Sequence, residues 1–204
     1  MARKTFFSFH YERDAWRAGQ VRNSNLLSKD DQRGFIDSVE WESIQRQGDD
    51  AIKRWIRDQL NYTSVTAVLI GAETTERPWV HHEITESWNR GNGLVGISIH
   101  NIKDQDRKTD IAGRNPFDLF ELPDGTPLSS ICKTYDWVFG DGRKNLGTWI
   151  EEAFQGRSKG AEELIYANDV SQKTRQVNVL RSEAASVPFT PHAPWCPDDV
   201  DNRR

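Results

Sequence analysis

A tryptophan and a glutamate four residues apart, Trp79 and Glu83, stand in the segment Arg77-Pro78-Trp79-Val80-His81-His82-Glu83-Ile84. On a helix that spacing puts both side chains on one face, beside an apolar stripe of Val80, Ile84 and Trp88. An aromatic ring can hold a heterocycle or a cation, and a carboxylate can stabilise positive charge developing on a sugar. By spacing alone, the commoner arrangement is a packed indole beside a solvated acid. A second group, Phe6-Phe7-Ser8-Phe9-His10-Tyr11-Glu12-Arg13-Asp14, sets aromatics, a hydroxyl and an imidazole where an apolar run ends. His81-His82-Glu83 suggests a metal only superficially. Adjacent histidines diverge on a helix and no further ligand has matching spacing, so no metal is expected.

The elements that must position these residues alternate in type. Thr5 to Phe9, Val65 to Gly71 and Leu94 to Ile99 read as strands, as do the shorter Tyr135 to Phe139 and the weaker Gly34 to Val39. Apolar residues at three- and four-residue intervals predict helices over Asp49 to Leu60, Arg77 to Arg90 and Asn145 to Phe154, with a fainter one in Ala15 to Leu27. Strands alternating with helices imply an α/β fold. The expectation is a flavodoxin-like three-layer sandwich on a mainly parallel five-stranded sheet of order 2-1-3-4-5. Ligands on such sheets bind where the order reverses, at the carboxyl ends of the first and third strands. Phe9-His10-Tyr11 follows the first, and Ala72 to Glu83 follows the third.

Gly91-Asn92-Gly93-Leu94-Val95-Gly96 matches a dinucleotide-binding glycine pattern literally, but it leaves a helix and enters a strand, the reverse of the required context. It reads as a helix stop. Gly140-Asp141-Gly142 reads as a turn between strand and helix. Residues 101–134 form a long polar insertion of the kind that carries a short helix or a functional loop. Residues 1–156 are expected to form the domain. Residues 157–204 form an extension, helical in Ala161 to Asp169 and then proline-rich. The 27 basic and 31 acidic residues are interspersed, for a formal charge of −4, which argues against nucleic acid as the main partner. Without an apolar run near the ~20 residues of a membrane span, no membrane association is expected. With no export signal, Cys132 and Cys196 read as free thiols in the cytoplasm.

The two chemistry-bearing segments together resemble the Toll/interleukin-1 receptor (TIR) domain family. Its first strand runs into Phe, Ser and Tyr and then an acidic residue, and a later helix carries Trp followed four residues on by Glu. Phe7-Ser8-Phe9-His10-Tyr11 and Pro78 to Ile84 match those parts. The chain is most similar to the TIR subunits of Thoeris antiphage defence, through FFSFHY, Ser64 to Gly71 (SVTAVLIG), the WV-two-residues-EI pattern and Asn115-Pro116-Phe117. The resemblance spans about residues 4–156. One departure is Val80, where many TIR domains have a small or sulfur-containing residue; it is expected to affect packing more than chemistry.

The resemblance implies an enzyme that takes NAD as substrate, with no cofactor. It would break the nicotinamide–ribose bond and make a cyclic ADP-ribose-type second messenger. Glu83 carries over as the catalytic carboxylate, and Ser8, Phe9, His10, Tyr11 and Trp79 as substrate-binding residues, with Asn23 and Arg22 as weaker contacts to phosphate or ribose. It also implies a partner effector reached through the diffusible nucleotide, a phage-derived trigger and a homo-oligomer. The alternative is a TIR-like interaction module without chemistry. A receiver domain fits less well, because it would need acidic residues where this chain has His10, Tyr11, Gly71 and Ala72.

Overall fold

A computed structural model describes residues 3–24, 43–44, 46–157 and 163–167, all within the first of two compact units, Met1–Asn168. Strands β1 (Thr5–Ser8), β2 (Val65–Ile70), β3 (Gly93–Ser98) and β5 (Thr134–Asp136) form one parallel sheet in the order β1-β2-β3-β5. That is the expected order without its first member. Gly34 to Val39, the expected outer strand, lies outside the described residues, as do Cys196 and the proline-rich stretch.

Side chains alternate across a strand with a period of two, and the core divides accordingly. Phe7, Ala67, Leu69, Val95 and Ile97 face helices α1 (Tyr11–Arg22) and α5 (Gly142–Gln155), meeting Ala18, Val21, Leu146, Trp149 and Ile150. On the other face Phe6 meets Ile52, Ile56 and Leu60 of α2 (Asp49–Leu60). Val68, Ile70 and Leu94 meet Val80, Ile84 and Trp88 of α3 (Pro78–Asn89). Both faces are thus covered, which is why β2 is buried throughout and apolar at every position but Thr66. A polar pair inside the core joins β2 to α3: the hydroxyls of Thr66 and Ser87 lie 2.7 Å apart and fully buried.

Three expectations need correction. Helix α1 begins at Tyr11, not Ala15, directly after β1. The last sheet strand ends at Asp136, because the Asp136 carboxylate accepts the N–H groups of Val138 and Phe139 at 2.8 Å and turns the chain. Within Ala161 to Asp169, Ile165–Tyr166 is not helical but forms strand β6, paired antiparallel with β4 (Phe120–Glu121) in the insertion. The insertion also carries a 3₁₀ turn (Pro116–Leu119) and a short helix, α4 (Leu128–Ile131).

The insertion crosses the carboxyl end of β2 closely. A Cβ on Gly113 would stand 1.9 Å from the Gly71 carbonyl oxygen. Gly113→Ala is therefore expected to destabilise the protein by about 1–3 kcal/mol through overpacking, read as a lower urea midpoint at unchanged slope. No helix among the described residues is long and apolar enough to cross a membrane.

Candidate functional site

β1 ends at Ser8 and the chain turns at once into α1, with His10 in extended backbone as the N-cap. The turn brings Phe9 and Tyr11 together, their ring centroids 6.0 Å apart. On the neighbouring β2, the chain passes a 3₁₀ turn (Thr74–Glu76) and enters α3 at Pro78. Proline suits that first position because its missing N–H would have no intrahelical acceptor. The buried stripe of Val80, Ile84 and Trp88 fixes the rotation of α3 on the sheet. Trp79 and Glu83 consequently turn toward the end of β1, and Trp55 of α2 closes the side.

The result is a cleft of about 150 Å³ lined by Phe6, Phe7, Phe9, His10, Tyr11, Glu12, Trp55, Arg77, Pro78, Trp79, Val80 and Glu83. Pockets that enclose a whole drug-sized ligand run to roughly 300–1,000 Å³. A ligand larger than a ring and its attached sugar would insert one end here and leave the remainder at the mouth.

Glu83 sits at the base of the cleft and is only 7 % exposed. Burial disfavours its charged form and pushes its carboxyl up from the ordinary 4.5 to about 8, with the nearby Ser8 hydroxyl pulling weakly the other way. No hydrogen bond of ordinary length satisfies the Ser8 hydroxyl. His10 is held below the ordinary imidazole value by burial and by the Arg77 guanidinium, so it is neutral near pH 7. Its ring nitrogens stand 3.7 Å from Glu12 and 3.9 Å from Glu73, too far for hydrogen bonds.

Outside the cleft, a chain of ion pairs braces the loops. Glu73 accepts from Arg13 and Arg77, each at 2.7 Å, and Arg13 also grips Asp110 of the insertion at 3.0 Å. Buried Arg17 donates to the Ile102 carbonyl at 3.0 Å and lies 3.8 Å from Asp14, a fully buried carboxylate whose value burial raises to about 6.

Of the residues singled out from the sequence, Phe9, His10, Tyr11, Trp79 and Glu83 meet in one cleft. Ser8 lies beneath it, against Glu83. Asn23 does not join them: it is the C-cap of α1, and neither it nor Arg22 lines the cleft. The physical reason is length, since a 12-residue helix separates its ends by roughly 18 Å. Trp55 packs against the core beside Phe6, with ring centroids 6.1 Å apart, and also forms part of the cleft wall. Arg77 was missed. Its signal was its place directly before a helix-opening proline, at the carboxyl end of a central strand. Among the described residues no cluster of His, Cys, Asp and Glu could hold a metal ion.

A parallel sheet with an acid and aromatic rings gathered at the carboxyl ends of its central strands defines a TIR-like α/β domain. Residues 6–104 match the family described as "Thoeris protein ThsB, TIR-like domain". The chain is also 34 % identical over 192 residues to a protein of Bacillus cereus (strain MSX-D12) named "Putative cyclic ADP-D-ribose synthase ThsB1", covering 74 % of this chain and 100 % of that protein. The chain belongs to the Thoeris ThsB TIR-like family.

Proposed function

We propose that this chain cleaves the nicotinamide–ribose bond of NAD in antiphage defence, with Glu83 as the carboxylate that meets the ribose. One observation carries the reading: a nearly buried acid opens into the same small cleft as the rings of Phe9, Tyr11 and Trp79. The name of the Bacillus cereus relative supports it.

The chemistry suits a single acid. Nicotinamide leaves from a positively charged ring nitrogen, taking the bonding electrons and becoming neutral, so no acid need protonate it. Positive charge passes to the ribose, and a carboxylate in a low-dielectric site stabilises it strongly. The buried carboxyl of the free protein is largely protonated at neutral pH. A cationic substrate beside it favours ionisation, and the acid is then charged when the bond breaks. The rings of Phe9, Tyr11, Trp79 and Trp55 hold the flat base and exclude water. Capture of the ribose by water gives ADP-ribose, whereas capture by an atom of the same dinucleotide closes a ring. The ring-closed product is the signal proposed to reach a partner effector after a phage-derived trigger.

Mass spectrometry of small molecules from infected cells tests this. Cells expressing the chain are expected to accumulate a cyclic ADP-ribose isomer or ADP-ribose, with loss of NAD, and cells expressing Glu83→Gln neither. Equal products in both would remove Glu83 from the chemistry. Absence of any product alongside trigger-dependent oligomers would favour an assembly module.

A further inference from the structure

The cleft accepts one end of a dinucleotide, and its mouth is built of different chemistry from its base. Arg77 stands at the position directly before α3 and lines the cleft beside Pro78 and Trp79. Its guanidinium is about one-third exposed and is steadied through Nη2 by Glu73 at 2.7 Å. The Nε of Arg77 is buried without a hydrogen-bond partner, and so are both ring nitrogens of His10, which lines the same cleft and is 93 % buried. Burying a polar nitrogen without a partner is unfavourable, and native proteins keep such groups where a ligand or water completes them.

The head of α3 adds to this. The first N–H groups of a helix have no intrahelical acceptor and carry partial positive charge. No side chain caps them here, and the first turn of α3 has no acidic residue, whereas α1 opens with Glu12 and Asp14 and α2 with Asp49 and Asp50. A fixed cation, an uncapped helix start and an orphaned imidazole thus converge at one opening, where the lining carboxylate besides Glu83 is the solvent-exposed Glu12. Opposite-charge chemistry of that kind suits a phosphate group.

We propose that Arg77, His10 and the first turn of α3 bind the diphosphate of the dinucleotide. The proposal rests on the NAD reading of the same cleft and names where the anionic part of that substrate lies. The spacing agrees. Glu83 is five residues beyond Pro78, about 7.5 Å along the helix axis at about 1.5 Å per residue. That is the reach of a ribose and its 5′ oxygen, the groups that separate the reacting carbon from the first phosphate.

Binding by the purified full-length protein tests this with three probes: ADP-ribose, inorganic pyrophosphate, and nicotinamide riboside, which has the base and sugar but no phosphate. Arg77→Gln is expected to weaken ADP-ribose at least about tenfold, the loss for one charged hydrogen-bonding group. It is also expected to abolish competition by pyrophosphate and to leave nicotinamide riboside within about twofold. Arg77→Lys, which keeps the charge but not the planar fork, should fall between. An unchanged melting temperature of the glutamine variant excludes a folding effect. ADP-ribose bound as tightly by Arg77→Gln as by the wild type would overturn the diphosphate assignment and leave the NAD reading standing. Equal weakening of all three probes would also overturn it, making Arg77 a structural brace. A wild-type protein that binds neither ADP-ribose nor nicotinamide riboside would overturn both readings together.

Discussion

Glu83→Gln is expected to lower nicotinamide release by about 10²–10³-fold, the range seen when one preorganised electrostatic group facing a developing charge is removed. The amide matches the acid in shape, so the aromatic walls and the sheet beneath them should be undisturbed. The same residue sets a pH signature. With the carboxyl of the free protein raised to about 8, kcat/KM for NAD should climb with pH and level off above about 8. In kcat the corresponding limb should move to lower pH, because the bound pyridinium cation favours the ionised acid. A flat profile from pH 6 to 9 would contradict an ionised Glu83 as the working form.

The second large effect is on stability, and it runs opposite to activity. A folded-state value raised above the unfolded one gives a contribution fully present below the unfolded value of 4.5 and lost as pH rises through about 8. At about 1.4 kcal/mol per pH unit, the wild type should lose roughly 2–5 kcal/mol across that interval relative to a variant that cannot ionise there. Glu83→Gln should therefore match the wild type near pH 4 and exceed it by that amount at pH 9. Asp14, also raised by burial, is present in both proteins and cancels in the difference. Urea melts of the two proteins at several pH values would measure the gap. A gap independent of pH would mean that burial does not perturb this carboxyl.

The sequence was most legible where one period dominated. The nearly all-apolar runs of β2 and β3, and the spacing of Ile52, Ile56 and Leu60, each admit one local structure, and the sheet order followed from topology alone. The cleft was legible through Trp79 and Glu83 because helical spacing and core stripe together fix where both point. Helix α1 was placed too late because His10 makes no side-chain cap, leaving only Ala18 and Val21 to mark the buried face. Strand β6 was hidden because its partner, Phe120–Glu121, lies more than forty residues away, and no local pattern encodes such a pairing. His81 also contributes there, with its ring against Phe120 and Tyr166. Trp55 serves both core and cleft wall, and its helical spacing reports only the first, because the two differ only in what occupies the far side of the ring. Arg77 is marked only by its place before the helix-opening Pro78, and a guanidinium there acquires meaning once its neighbours are in place.

The rotation of α3 is fixed by Val80, Ile84 and Trp88, and the same rotation aims Trp79 and Glu83. Packing phase and reactive phase are therefore a single quantity. Insert one residue after Val80 and everything downstream turns by about 100°: either Ile84 and Trp88 stay seated with Glu83 while Val80 and Trp79 swing away, or the head of the helix stays and the acid and the seam leave their places together. The spacing between indole and carboxylate is thus guarded by folding itself, even in the absence of selection for chemistry.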